Sequence, residues 1–146
     1  MNRAQNIKLL HVLLVLTFIS AGVNALSYAY TAIFMPTIQQ TVEREGPFPE
    51  QFKVMIDTLL SIPRSFFTVG ALLYLVELAG GILMWHLRRS GFHCYTLARL
   101  LLLLIPVMFL GRDYLMIGDV MFAALFIVAY FMLFRAIGVF GRQKQE

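Results

Sequence analysis

Phe66 to Leu87 reads FFTVGALLYLVELAGGILMWHL, and this stretch decides the fold. Glu77 is its only acidic residue, and it holds no lysine or arginine. At ~1.5 Å of rise per residue a helix of this length reaches ~33 Å, which matches a hydrocarbon core of ~30 Å. Elsewhere Leu100 to Leu104 and Phe131 to Phe134 are apolar all round, as lipid-facing helices should be.

Working outward, three more segments have the length and apolarity to cross. The spans are placed at Leu9–Phe34, Phe66–Leu87, His93–Gly111 and Tyr114–Ile137. The third contains Pro106, which kinks a helix. The expected fold class is therefore all-α, an integral membrane antiparallel four-helix bundle formed by residues 1–146 as a single transmembrane domain.

The whole composition agrees. Of 146 residues, 60% are hydrophobic and 14% charged, against about 25% charged in a soluble domain. A disulfide scaffold, a disordered tail and an ordinary cytosolic enzyme are excluded. The net charge of +4 does not point to nucleic acid, because the basic residues gather at the ends of apolar runs. There they meet lipid head groups and set orientation. The single cysteine, Cys94, forms no internal disulfide and no redox pair. Its position near a span end admits palmitoylation and nothing else in the sequence adds to that.

Eight basic residues fall on one side: Arg3, Lys8, Arg88, Arg89, Arg99, Arg135, Arg142 and Lys144. The other side has four, Arg44, Lys53, Arg64 and Arg112, together with Glu43, Glu45, Glu50, Asp57 and Asp113. The positive side stays in the cytoplasm, so both termini are expected there. Arg3 and Lys8 before an apolar run, with Val23-Asn24-Ala25 beyond, also fit a signal peptide. The run continues to Phe34, however, and favours a retained span.

Arg88-Arg89-Ser90-Gly91-Phe92 and Gly111-Arg112-Asp113 are tight turns, with Gly91 suited to end a helix, so the last three spans are antiparallel neighbours. Only the outer connection, residues 35–65, has real length. Gly46-Pro47-Phe48-Pro49 breaks regular structure there. Beyond it Phe52, Met55, Ile56, Leu59 and Leu60 form one helical stripe, predicting an amphipathic interfacial helix between Glu50 and Ile62. It is either a connector packed for stability or a lid over an outward-facing site.

Polar groups inside the spans supply the candidate sites. Glu77 lies ~16 Å from the outer end of its span, near the midplane, where a charge is costly unless it is protonated, paired or facing a polar cavity. Arg99 is the basic residue within reach, since the two depths differ by ~7 Å. Snorkelling to the cytoplasmic interface is the competing reading for Arg99. Asn24 and Asp119 form a second, outer set in one layer, beside Ser27, Tyr28 and Thr31. Ala21, Ala25, Ala29 and Ala32 make a small-residue stripe for close helix contact. Gly80-Gly81 reads as a close-packing point in the second span. His11, His86 and His93 share a depth near the cytoplasmic span ends, but lack the i+3 or i+4 spacing of a metal site. Trp85 reads as an interface anchor.

Met84-Trp85-His86-Leu87-Arg88-Arg89-Ser90-Gly91-Phe92-His93-Cys94-Tyr95, preceded by Gly80-Gly81, resembles the second turn of small uncharacterised bacterial four-span integral membrane proteins. The length and the early small-residue stripe are similar too. The resemblance covers the architecture of most of the chain and implies a fold class without an activity.

The chain has no GxSxG, no Walker glycine loop, no HExxH and no paired catalytic carboxylates. The expectation is a non-enzymatic membrane protein without a cofactor, in a bacterial inner membrane. It binds a membrane protein partner, a second copy of itself or an apolar small molecule. The alternative is a small proton- or cation-coupled transporter using Glu77. A redox protein ligated by His11, His86 and His93 is a third class.

Overall fold

A computed structural model describes residues 2–45, 49–111 and 117–140, with the side chains of 43, 45, 50, 51, 53 and 55 left out. The Gly46-Pro47-Phe48 breaker, the Arg112-Asp113 turn, the start of the last span at Tyr114, the Met55 side chain and the tail with Arg142 and Lys144 lie outside the described residues. Five helices follow one another: α1 (Arg3–Glu45), α2 (Glu50–Ser61), α3 (Arg64–Trp85), α4 (Arg89–Leu110) and α5 (Ile117–Ile137). There is no strand among the described residues. The protein is all-α, and α1, α3, α4 and α5 are long and apolar enough to cross a membrane.

The first helix departs from the expected span. It does not stop at Phe34 but runs for 43 residues, ~64 Å at ~1.5 Å each, well beyond one hydrocarbon core. Thr37 to Glu45 contains no glycine and no further proline, so helix continues through the start of the expected connection. Pro36 sits inside it. A proline there lacks the N–H that would bond to the carbonyl four residues back, which belongs to Ala32. Arg64, the first residue of α3, supplies the missing donor: its Nε donates to the Ala32 carbonyl oxygen at 2.8 Å. One guanidinium thus repairs the ladder of α1 and pins the start of α3 to it.

The core is divided in two along the bundle. At the basic end Leu10, Leu14, Met84, Phe92, Tyr95, Tyr130 and Phe134 pack together. At the opposite end Ala32, Met35, Phe66, Phe67 and Ile105 form a second cluster, against which Leu59 and Leu60 of α2 are laid. Of the predicted α2 stripe, Leu59 and Leu60 thus reach the bundle, whereas Phe52 nearer its start is exposed. In α1, Ala21, Ala25 and Ala32 are buried.

The α3–α4 contact is backbone on backbone. A Cβ on Gly80 would lie 2.7 Å from the Tyr95 nitrogen, and one on Gly91 would lie 2.5 Å from the Met84 nitrogen and 2.8 Å from the Gly80 carbonyl oxygen. Gly91 does not end a helix as its turn position implied. It sits inside α4, and the left-handed residue that closes α3 is Leu87, at φ 57°. Close approach to α3 demands a missing side chain at Gly91 more than the turn demands one at position 87.

The fifth helix is held at one half only. Ala123, Tyr130, Leu133, Phe134 and Ile137 are buried. Each residue from Ile117 to Phe122 is exposed, with Ile117 at 77%, Met121 at 67% and Phe122 at 62%. The first six residues of α5 are thus exposed, and its packing begins at Ala123.

Gly80→Ala is expected to destabilise the bundle by about 1–3 kcal/mol, since both neighbours of the new methyl are backbone. Gly22→Ala in α1, where a Cβ meets nothing within 4 Å, is expected to be neutral or stabilising by up to about 1 kcal/mol. Thermal melting of the two variants in detergent measures the difference.

Candidate functional site

Between the two apolar clusters lies a polar layer. Glu77, on α3 one turn from the Gly80 contact, is 2% exposed. Arg99 reaches it from α4, with Nη1 3.4 Å from Oε1 and 3.5 Å from Oε2. The geometry is a loose ion pair with one guanidinium nitrogen shared between the two oxygens. Both groups escape the desolvation penalty only together, because either alone is an uncompensated charge in an apolar surround.

A neutral pair completes the layer. Thr17 Oγ1 of α1 and the Tyr130 hydroxyl of α5 are 2.6 Å apart and both buried. Tyr95 stands edge-on to Tyr130, with ring centroids 5.1 Å apart. Thr17, Ser20, Glu77, Tyr95 and Arg99 line a cavity of ≈ 40 Å³, large enough for ordered water and too small for an organic substrate. Thr17, Tyr95 and Tyr130 carry no charge and sit in apolar runs, so hydropathy did not single them out. The available signal was that a buried tyrosine hydroxyl needs a partner.

Arg99 also faces a second, larger space. A pocket of ≈ 100 Å³ is lined by Tyr74, Arg99, Leu102, Leu103 and Asp119. Pro106 lies inside α4, and Leu102 and Leu103 are the residues four and three before it. The Leu102 carbonyl is the one that Pro106 leaves without its regular donor. The proline expected to kink the third span thus makes this pocket's wall polar. Asp119 forms no hydrogen bond or ion pair among the described residues, and it is exposed. Leu102 is eight residues from the end of α4, so the pocket lies ~12 Å inside that end.

The outer set separates. Asn24 Nδ2 donates to the Ser20 carbonyl of its own helix at 2.9 Å, and Thr31 Oγ1 donates in the same way to Ser27. No hydrogen bond joins Asn24 to Asp119. Tyr28 lies over Gly70 and packs against Phe66, Phe67 and Tyr74, the last at a centroid separation of 5.3 Å. Through Tyr74 it borders the Asp119 pocket.

The histidines stay apart in role. His11 stacks on Trp85 at 4.2 Å, with the rings 18° from parallel. His86 follows the end of α3 and His93 is on α4, and both are exposed. No group of three or more histidine, cysteine or acidic side chains placed to hold a metal occurs among the described residues.

No protein-family model, curated protein or solved structure matches the chain. The chemistry of the layer therefore has to be tested on its own groups. Arg99→Met is expected to lower stability by about 3 kcal/mol, because it strands a buried carboxylate. Glu77→Gln should cost less, since an amide carbonyl still accepts from Arg99. The double variant is expected to be more stable than Arg99→Met alone. Melting curves of the four proteins in one detergent give the coupling.

Proposed function

We propose that the protein is a non-enzymatic binding subunit of the membrane, and that a transmembrane helix of a partner protein docks along the outer half of α5. One observation carries this reading. Asp119 stands exposed on an unpacked helix half, beside a pocket at membrane depth. A carboxylate at that depth without a bonded counter-group costs at least a few kcal/mol. A partner helix that brings a basic or hydrogen-bonding side chain removes that cost and covers Phe122, which lies one turn on and on the same face as Asp119.

The Glu77–Arg99 pair supports binding over transport. The Glu77 carboxylate already has a guanidinium partner, at 3.4 Å. The cavity beside it, at ≈ 40 Å³, offers no continuous route for a solute.

We place the protein in a bacterial inner membrane with both termini in the cytoplasm. The support is the basic end of the bundle, where Arg3, Lys8, Arg88, Arg89 and Arg135 lie at helix ends.

A photoreactive residue at Phe122 is expected to give one discrete cross-linked product in native membranes, whereas one at the comparably exposed Leu72 of α3 should give none. Asp119→Asn should weaken the Phe122 product. Equal labelling at both positions, or indifference to Asp119→Asn, rejects the partner reading.

Orientation has its own test in a Cys94→Ser background. A membrane-impermeant maleimide added outside intact cells should modify Ser61→Cys and reach Ser90→Cys only after permeabilisation. The opposite order inverts the topology.

A further inference from the structure

Four helix ends meet at the basic end of the bundle and enclose a pocket of ≈ 170 Å³ lined by Arg3, Leu87, Arg89, Ile137 and Val139. Arg3 opens α1, Arg89 opens α4 and Ile137 closes α5. The pocket has a split chemistry, with two guanidinium groups and three aliphatic side chains. Arg89 is fixed in place, for its Nε donates to the Val139 carbonyl oxygen at 2.6 Å and its guanidinium carbon lies 5.7 Å from the Phe140 ring centroid. Arg3 is exposed and adaptable.

The backbone around the pocket has the same polarity as its arginines. The two helices that finish here have their last carbonyls satisfied by paired closing bonds. Arg88 N donates to Leu83 O and Leu87 N to Met84 O at the end of α3, and Val139 N donates to Phe134 O and Gly138 N to Arg135 O at the end of α5. The two helices that begin here, α1 and α4, have no acidic side chain in the first turn. Their positive ends are left uncompensated. Among the described residues this end has Lys8, Arg88 and Arg135 besides the two pocket arginines, and no aspartate or glutamate.

We propose that this pocket is a binding site for the phosphate group of an anionic phospholipid, held between Arg3 and Arg89 with its glycerol and upper acyl carbons against Leu87, Ile137 and Val139. Arginine suits a phosphate through its forked donors. The aliphatic wall favours a lipid over a free anion, because inorganic phosphate gains nothing from it. Basic pockets between transmembrane helix ends are where head groups are recognised. The proposal is independent of the partner reading, since it uses the opposite end of the bundle.

The test is a titration of the full-length protein in neutral detergent with phosphatidylglycerol, phosphatidylcholine and inorganic phosphate, read by native mass spectrometry. The expected result is one phosphatidylglycerol per chain, bound in preference to phosphatidylcholine and not displaced by millimolar phosphate. Arg3→Gln is expected to weaken binding by about fivefold, the worth of one interfacial basic residue. Lys8→Gln, at the same end but outside the pocket, should weaken it less. Arg3 makes no contact that the bundle needs, so the lipid-free melting temperature of Arg3→Gln should match the unaltered protein. Arg89→Lys keeps the charge and serves as a second variant, expected to bind more weakly because the fork and its Val139 anchor are lost. Equal affinity for the two lipids overturns the site, and so does an Arg3→Gln effect no larger than that of Lys8→Gln. Displacement by inorganic phosphate overturns the lipid assignment.

Discussion

Two glycines facing each other hold the backbones of α3 and α4 in contact, and the polar interior depends on that closeness. Gly80 and Gly91 leave no room for a methyl group on either helix. Gly80 also abuts the Tyr95 backbone, and because the helices run antiparallel, a step of about one turn from that contact on each helix brings Glu77 on α3 level with Arg99 on α4. At an ordinary interaxial distance of 8–10 Å, set by larger side chains, the already loose 3.4 Å approach would lengthen. The charge pair exists because the backbone contact brings its two helices together.

The arrangement around the pair follows from the same economy. Apolar clusters occupy the two ends of the bundle and the polar groups share one level between them. Lipid provides little hydrophobic drive for helices to associate. Close packing at Gly80–Gly91, the Arg64 bond to the carbonyl freed by Pro36, the Thr17–Tyr130 hydroxyl pair and the Glu77–Arg99 pair therefore have to supply the specificity of assembly. Each joins a different pair of elements or a different level of the same pair. α5 has fewer such devices than α3, and its first six residues are exposed.

Much of this was legible in the residues, and the failures have identifiable causes. Four long apolar runs separated by charged turns fix an all-α bundle because span length and backbone satisfaction admit few other solutions. Depth arithmetic alone put Glu77 and Arg99 within reach of each other. It failed for Asn24 and Asp119, since depth carries no information on which way a residue faces. Asn24 turns back to its own helix. The length of α1 was missed because the end of the apolar run at Phe34 is not the end of the helix, which continues past Pro36 with Arg64 supplying a donor to the Ala32 carbonyl. Gly91 and Leu87 exchanged roles for a tertiary reason, invisible to turn chemistry read locally. The half-packed state of α5 left no trace in its uniform hydropathy.

The Thr17–Tyr130 hydrogen bond has a bearing on how the protein is made. Its partners are 113 residues apart, in the first and last of the five described helices. Until Tyr130 is in place, the Thr17 hydroxyl has no such partner and bonds at best to its own helix backbone. α1, α3 and α4 have their own backbone and side-chain contacts and can gather before that moment. α5 then docks last, and a chain cut short before Tyr130 lacks the latch between first and last helices.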